Sequence, residues 1–118
     1  MRSIRLLLFL QSAVFLGASM THFGVLLAGY EHRNAGIAEC VIGSVLLAGL
    51  VLTLVRPRSS RSIGIAVQGF ALLGTAVGVV MVAIGVGPRT GPDLALHAVM
   101  AGMLLYGLYA NVFPPARR

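Results

Sequence analysis

Charged side chains are scarce in this sequence. They make up 10% of the 118 residues, lysine and tryptophan are absent, and cysteine occurs once, at Cys40. A single cysteine excludes an internal disulfide. With 58% hydrophobic residues and 15 glycines, the chain has too few polar side chains to cover a soluble globule and is too apolar to be disordered. The composition therefore predicts an integral membrane protein.

Four long apolar runs predict four membrane-spanning helices, over about residues 4–29, 35–55, 63–86 and 94–113. About 20 residues cross a bilayer as a helix, and a helix satisfies its backbone polar groups within the segment. The first run begins like a signal peptide but continues to spanning length, so we expect a retained helix. Short connections favour antiparallel neighbours. We predict one domain, an all-α four-helix membrane bundle with short loops.

The arginines predict how this bundle is oriented. Arg33 and Arg89 lie on one side, and the other seven share the opposite side: Arg2, Arg5, Arg56, Arg58, Arg61, Arg117 and Arg118. The positive-inside rule then places both termini on the cytoplasmic side of the cell inner membrane. The net charge is +6, but the charges lie at the ends of the apolar runs, where the orientation of the protein in the membrane explains them. Nucleic-acid binding is therefore not predicted.

The acids and histidines all fall on the predicted outer side, in loops or in the outer halves of helices. At 1.5 Å per residue, His22 would lie about 12 Å below the outer surface, Glu39 about 7 Å and His97 about 6 Å. Ionisable residues inside spans are costly and usually face the bundle interior. The differences in depth are within the error of the predicted boundaries, so the sequence leaves two alternatives: the three side chains form one site in the outer half of the bundle, or Glu39 pairs with Arg33 or Arg89 at a helix end.

Helical spacing places polar residues on shared faces. Gln11, Phe15, Ser19 and His22 lie on one face of the first helix. In the fourth span Asp93, His97 and Met100 follow one another at helical spacing. Thr90-Gly91-Pro92-Asp93 resembles a capping box with proline just inside the helix start. Asp93 therefore has a structural explanation as well as a functional one.

A metal or haem site is the first functional hypothesis. His22, Glu39 and His97 are candidate ligands of an iron, zinc or copper ion. His22 and His97 would alternatively ligate haem b from two facing helices, with Arg33 and Arg89 placed to meet its propionates. The supporting residues in this hypothesis are His32, Asp93, Glu31 and Met100. The spacings HxxxH, ExxH and CxxC are absent.

A small proton-coupled transporter is the second hypothesis. In size and helix count the chain resembles the small multidrug-resistance proteins. Those proteins carry an essential glutamate in the first span and many spanning aromatics, whereas here Glu39 lies in the second span and aromatic residues are 7% of the chain. The resemblance implies a proton-exchanging role for Glu39.

Two further possibilities remain open. The short loops and glycine-rich helices also suit a homo-oligomer or an accessory subunit of a larger membrane complex. Intramembrane histidine and glutamate can support redox or isomerisation chemistry, but the sequence presents no nucleophile beside an obvious base. Enzymatic activity is therefore left open and not favoured.

Overall fold

The computed structural model describes residues 2–116 and contains four long helices. They are α1 (Arg2–His22), α2 (Arg33–Val55), α3 (Ser60–Ala83) and α4 (Gly91–Val112), with a single 3₁₀ turn at Pro57–Ser59 before α3. No strand occurs within the described range. All four helices are long and apolar enough to cross a membrane. The prediction of an all-α bundle is confirmed, while Arg117 and Arg118 lie outside the described residues.

The first helix ends earlier than its apolar run suggests. We predicted a span reaching Gly29, but α1 stops at His22 and the chain then turns back toward α2. Gly24 and Gly29 have φ values of +76° and +96°, a left-handed backbone that glycine adopts without steric cost. The His32 backbone N–H donates to the His22 carbonyl at 2.9 Å, which closes this loop. His22 is therefore the last residue of its helix, and it lies level with the start of α2.

Successive helices run antiparallel, so the bundle has two chemically different ends. At one, which we call the arginine end, Arg5 donates to the Thr53 carbonyl at 2.8 Å and Arg61 to the Asn111 carbonyl at 2.8 Å. These bonds satisfy carbonyls near the ends of α2 and α4. The opposite end, the histidine end, carries the 23–32 loop and the connection between α3 and α4. The division of charge between two ends agrees with the sequence, whereas the membrane side of each end stays a prediction.

The bundle is apolar outside and partly polar inside. Large exposed apolar side chains occur on all four helices, among them Phe9, Val51, Leu73 and Leu105. In the described range the interior holds eleven buried polar side chains beside nine buried apolar ones. A soluble protein of this size would cover its surface with polar groups, so this distribution fits a lipid environment.

Glycines let the helix backbones approach one another closely. A Cβ atom on Gly43 of α2 would lie 2.8 Å from Leu16 Cγ and 3.1 Å from the Leu16 backbone nitrogen of α1. On Gly49 it would lie 2.7 Å from Val67 of α3. Lipid supplies little hydrophobic drive between helices, so this close packing holds α2 against both neighbours.

Candidate functional site

Three ionisable side chains from three helices meet in the interior of the histidine end. His22 Nδ1 lies 2.6 Å from Glu39 Oε2, and His22 Nε2 lies 3.0 Å from Asp93 Oδ1. We call Glu39, His22 and Asp93 the triad. Their exposed fractions are 4%, 1% and 5%. The triad joins α2, α1 and α4 at one point, and α3 supplies no member.

The Asp93 end of the triad is fixed by the start of α4. Thr90 is the N-cap residue; its side chain accepts from the Asp93 backbone N–H, and Asp93 Oδ2 accepts from the Thr90 backbone N–H and hydroxyl. The predicted capping box is therefore confirmed. Three donors on one carboxyl group, together with the positive end of the helix dipole, favour a negatively charged Asp93. Asp93 thus has the predicted role at the helix start, and its carboxyl group also contacts His22.

The hydrogen bonds set the proton content of the triad. Each contact between an imidazole nitrogen and a carboxyl oxygen needs one hydrogen, and a neutral imidazole supplies only one. The two contacts therefore require two hydrogens, which is one more than a neutral histidine between two carboxylates supplies. With that additional proton the triad has a net charge of −1. Because Asp93 is stabilised as the anion, the extra proton belongs to the 2.6 Å contact between His22 and Glu39, on His22 as an imidazolium or on Glu39 as a carboxylic acid.

Glu39 also lines a cavity between the helices. The cavity has a volume of about 400 Å³, and its wall is mostly apolar. Its helical lining includes Phe15, Ala38, Ile42, Gly74, Val77, Gly78, Met81 and Met100. Glu39 Oε1 is buried and has no hydrogen-bond partner within residues 2–116. One oxygen of Glu39 thus belongs to the triad, while the other has the capacity to accept a bond.

His97 lies beside the triad and does not belong to it. Its Nδ1 donates to the Asp93 carbonyl at 2.8 Å, one turn back along α4, which leaves Nε2 as the nitrogen with a lone pair. That atom faces α3, since a Cβ atom on Gly78 would lie 3.5 Å from it. His97 lines the same cavity as Glu39. The ionisable residues in the cavity wall are therefore Glu39, His97 and His32.

His32 has a structural role at the start of α2. Its Nδ1 accepts from the Ala35 backbone N–H at 3.2 Å, and its Nε2 donates to the Val86 carbonyl at 3.0 Å. Its ring meets that of His22 edge to face, with centroids 6.5 Å apart. His32 thus caps α2 and ties it to the loop that follows α3, with both nitrogens in use.

The remaining predicted site residues lie away from the triad. Glu31 accepts from the Gly29 backbone N–H at 2.9 Å in the exposed loop. Met100 is buried on the cavity wall. Arg33 and Arg89 are exposed, and neither makes an ion pair in the part of the chain that the structure describes. The structure thus brings His22 and Glu39 together, with Asp93 rather than His97 as the third group.

The arrangement offers little to a metal ion. Among residues 2–116, no group of three His, Cys, Asp or Glu side chains has a geometry that could hold one. Both ring nitrogens of His22 are occupied by carboxyl oxygens, so ligation would require one of these bonds to break. His97 Nε2 is the histidine nitrogen of this region that is open to a ligand.

Sequence reasoning missed the buried amides at the arginine end. Gln68 and Asn111 are 0% and 2% exposed and lie with Gln11 in the bundle interior. The signal was available, because an amide within an otherwise apolar span usually forms a bond to another helix. The predicted site was chosen mainly from ionisable residues, and it therefore omitted Gln68 and Asn111.

Comparisons with known proteins do not add to this description. Protein-family models, curated proteins and solved structures were searched, and none of them matches the chain. The geometry of the site is therefore the basis for a function.

Proposed function

We propose that the protein is a small proton-linked membrane carrier. In this proposal the triad takes up and releases a proton as a ligand leaves and enters the cavity at Glu39. The observation that supports it best is the divided role of Glu39: Oε2 bonds to His22 within the triad, and Oε1 is buried without a partner in a residue that lines the cavity. A ligand bound to Oε1 changes how firmly Oε2 holds the proton of its contact with His22.

The polar groups around the cavity indicate the kind of ligand. Glu39 Oε1 and His97 Nε2 accept hydrogen bonds, no arginine lines the cavity, and the rest of its wall is mostly apolar. A buried acceptor without a partner is unfavourable, so the ligand should supply a hydrogen-bond donor. A ligand's ammonium group replaces the proton held between His22 and Glu39, so the net charge of the site, counted with its ligand, stays at −1. Proton and ligand therefore compete for one negative charge.

Infrared spectroscopy tests the proton-holding part of this proposal. The chain has only three acidic residues, so the bands of protonated carboxylic acids are readily assigned. In lipid nanodiscs titrated with acid, we expect a band from the buried Glu39 that disappears in Glu39→Gln. Glu31→Gln changes an exposed carboxylate that bonds to Gly29 and is the matched control. A buried-acid band that persists unchanged in Glu39→Gln overturns the assignment.

Ligand binding is tested with three probes that share one apolar body: 4-phenylbutylamine, 4-phenylbutanol and 4-phenylbutyrate. Calorimetry in buffers of different ionisation enthalpy counts the protons released on binding. We expect the ammonium probe to bind with proton release, the alcohol to bind more weakly, and the carboxylate not to bind. Glu39→Gln should abolish the proton release, and Glu31→Gln should retain it. Binding of all three probes without proton release would refute a proton-linked carrier.

The metal or haem hypothesis stays a prediction with its own test. It requires His22 to exchange a carboxyl partner for a metal, or His97 to act as the ligand. The absorbance spectrum near the Soret band and the metal content of the purified protein decide it. An intact, folded and metal-free sample that binds the ammonium probe would exclude it. Co-purification under native conditions similarly tests the interpretation as a subunit of a larger complex.

A further inference from the structure

A second polar cluster lies in the half of the bundle nearer the arginine end. It consists of Gln11 of α1, Gln68 of α3 and Asn111 of α4, which are 1%, 0% and 2% exposed. Asn111 Nδ2 donates to Gln68 Oε1 at 3.3 Å, and Gln11 Nε2 donates to the Met103 carbonyl at 2.9 Å. We call these three residues the amide cluster.

Each member of the amide cluster keeps one buried atom without a partner. These atoms are Gln11 Oε1, Gln68 Nε2 and Asn111 Oδ1. Two of them are acceptors and one is a donor. Buried polar atoms are nearly always hydrogen-bonded, and lipid offers no substitute partner outside the bundle. The cluster is therefore incomplete as a set of protein groups.

Glycine makes space for the cluster on two helices. A Cβ atom on Gly107 of α4 would lie 2.6 Å from Gln68 Oε1 and 2.7 Å from Gln11 Nε2. On Gly64 of α3 it would lie 2.8 Å from Asn111 Nδ2. Gln11 and Gln68 thus meet at Gly107, where a larger residue would push both amides aside.

We propose that the amide cluster binds one water molecule. Water donates two hydrogen bonds and accepts up to two, which matches the open atoms: it donates to Gln11 Oε1 and Asn111 Oδ1 and accepts from Gln68 Nε2. One molecule satisfies all three side chains and links α1, α3 and α4. The cluster is thus a hydration site within the membrane-spanning part of the bundle.

The position of this water bears on the proposed carrier, and this step rests on the proposed function. Phe15, Ile42 and Met100 belong to the buried apolar core of the bundle. Gln11 lies one turn from Phe15 on the same face of α1. In this pathway further water enters between the triad and the amide cluster and carries the proton, and the bound water is the polar site that receives it, about 16 Å along α1 from His22. The amides orient the water and exchange no proton themselves.

Solid-state NMR tests the hydration site directly, because the chain contains only two glutamines, Gln11 and Gln68, and two asparagines, Asn34 and Asn111. In wild-type protein labelled with ¹⁵N-glutamine and reconstituted in lipid, we expect a cross-peak between water and the Gln68 side-chain NH₂. A Gln68 amide without such a cross-peak overturns the proposal, and this result does not depend on Glu39.

Variants extend the test to the pathway. Asn111→Leu removes one acceptor of the water and should abolish the Gln68 cross-peak, whereas Ser12→Ala removes a hydroxyl that bonds to Phe9 on its own helix and should leave it intact. In liposomes, Gln68→Met should slow the proton exchange that a gradient of 4-phenylbutylamine drives above the level in protein-free liposomes, with binding of 4-phenylbutylamine unchanged. If Gln68→Met leaves the rate of proton exchange unchanged although the wild-type protein shows the water cross-peak, the bound water has no role in the proton pathway. If the wild-type protein shows no proton exchange, the proposed carrier function is overturned instead.

Discussion

His22 and Glu39 share a short hydrogen bond, with Nδ1 and Oε2 2.6 Å apart, that joins the last residue of α1 to the interior of α2. His22 is the central member of the triad because both of its nitrogens face carboxyl oxygens. Removal of the imidazole therefore takes from the Glu39 and Asp93 carboxyl groups the histidine that each contacts among residues 2–116.

Removal of that imidazole should destabilise the protein strongly. His22→Ala leaves two buried carboxyl groups without their shared partner, and loss of one partner from a buried ion pair costs about 3–5 kcal/mol. Thermal unfolding in detergent should show a larger loss for His22→Ala than for Glu39→Gln or Asp93→Asn, which keep the shape of the side chain. Equal melting temperatures for His22→Ala and wild type would contradict the triad.

The cap of α4 predicts a smaller effect at Thr90. Thr90→Val removes the hydroxyl that accepts from the Asp93 backbone and donates to the Asp93 carboxylate. Loss of an N-cap side chain costs about 0.5–2 kcal/mol. Thermal unfolding measures it, with Thr21→Val as the control because the Thr21 hydroxyl bonds only to Gly17 of its own helix. A destabilisation as large as that of His22→Ala would mean that Thr90 does more than cap α4.

Two glycines in the spans should respond in opposite directions to alanine. Gly43→Ala forces a Cβ atom against Leu16 and its backbone nitrogen, and overpacking of this kind costs about 1–3 kcal/mol. Gly17 of α1 has no atom of another group within 4 Å of a built Cβ, so Gly17→Ala should be neutral or stabilise by up to about 1 kcal/mol through helix propensity. Paired melting curves check this contrast. An equal loss of stability in Gly43→Ala and Gly17→Ala would contradict the prediction.

The orientation is open to a direct measurement. We predict that the arginine end faces the cytoplasm, because five described arginines lie there: Arg2, Arg5, Arg56, Arg58 and Arg61. In a Cys40→Ser background, Ser59→Cys should be protected from a membrane-impermeant thiol reagent in intact cells, and Pro88→Cys should be labelled. The reverse labelling pattern would invert the topology.

The sequence predicts the architecture far better than the site. Apolar runs report helices directly, but the run that continues past His22 to Gly29 hides the end of α1, because the loop is itself rich in large apolar residues: Phe23, Val25, Leu26 and Leu27. The turn depends on left-handed glycines at 24 and 29, which a hydropathy pattern does not register. Periodicity correctly grouped Gln11, Phe15, Ser19 and His22, all of which are buried.

Contacts between helices were harder to foresee. His97 and Asp93 lie on one face of α4, and only the rotation of that helix in the bundle decides which of them reaches His22. The capping box holds the Asp93 carboxylate toward α1, while His97 turns to the carbonyl one turn back and toward α3. A single sequence carries no information on that rotation.

The absence of α3 from the triad has a mechanical consequence. Three helices are fastened to one another at His22, and the opposite wall of the cavity is formed in part by α3, at Gly74, Thr75, Val77, Gly78 and Met81. A displacement of α3 away from Glu39 therefore widens the cavity without breaking either bond of His22. The geometry around the His22 bonds is therefore set by α1, α2 and α4, whereas the width of the cavity opposite Glu39 is set by α3.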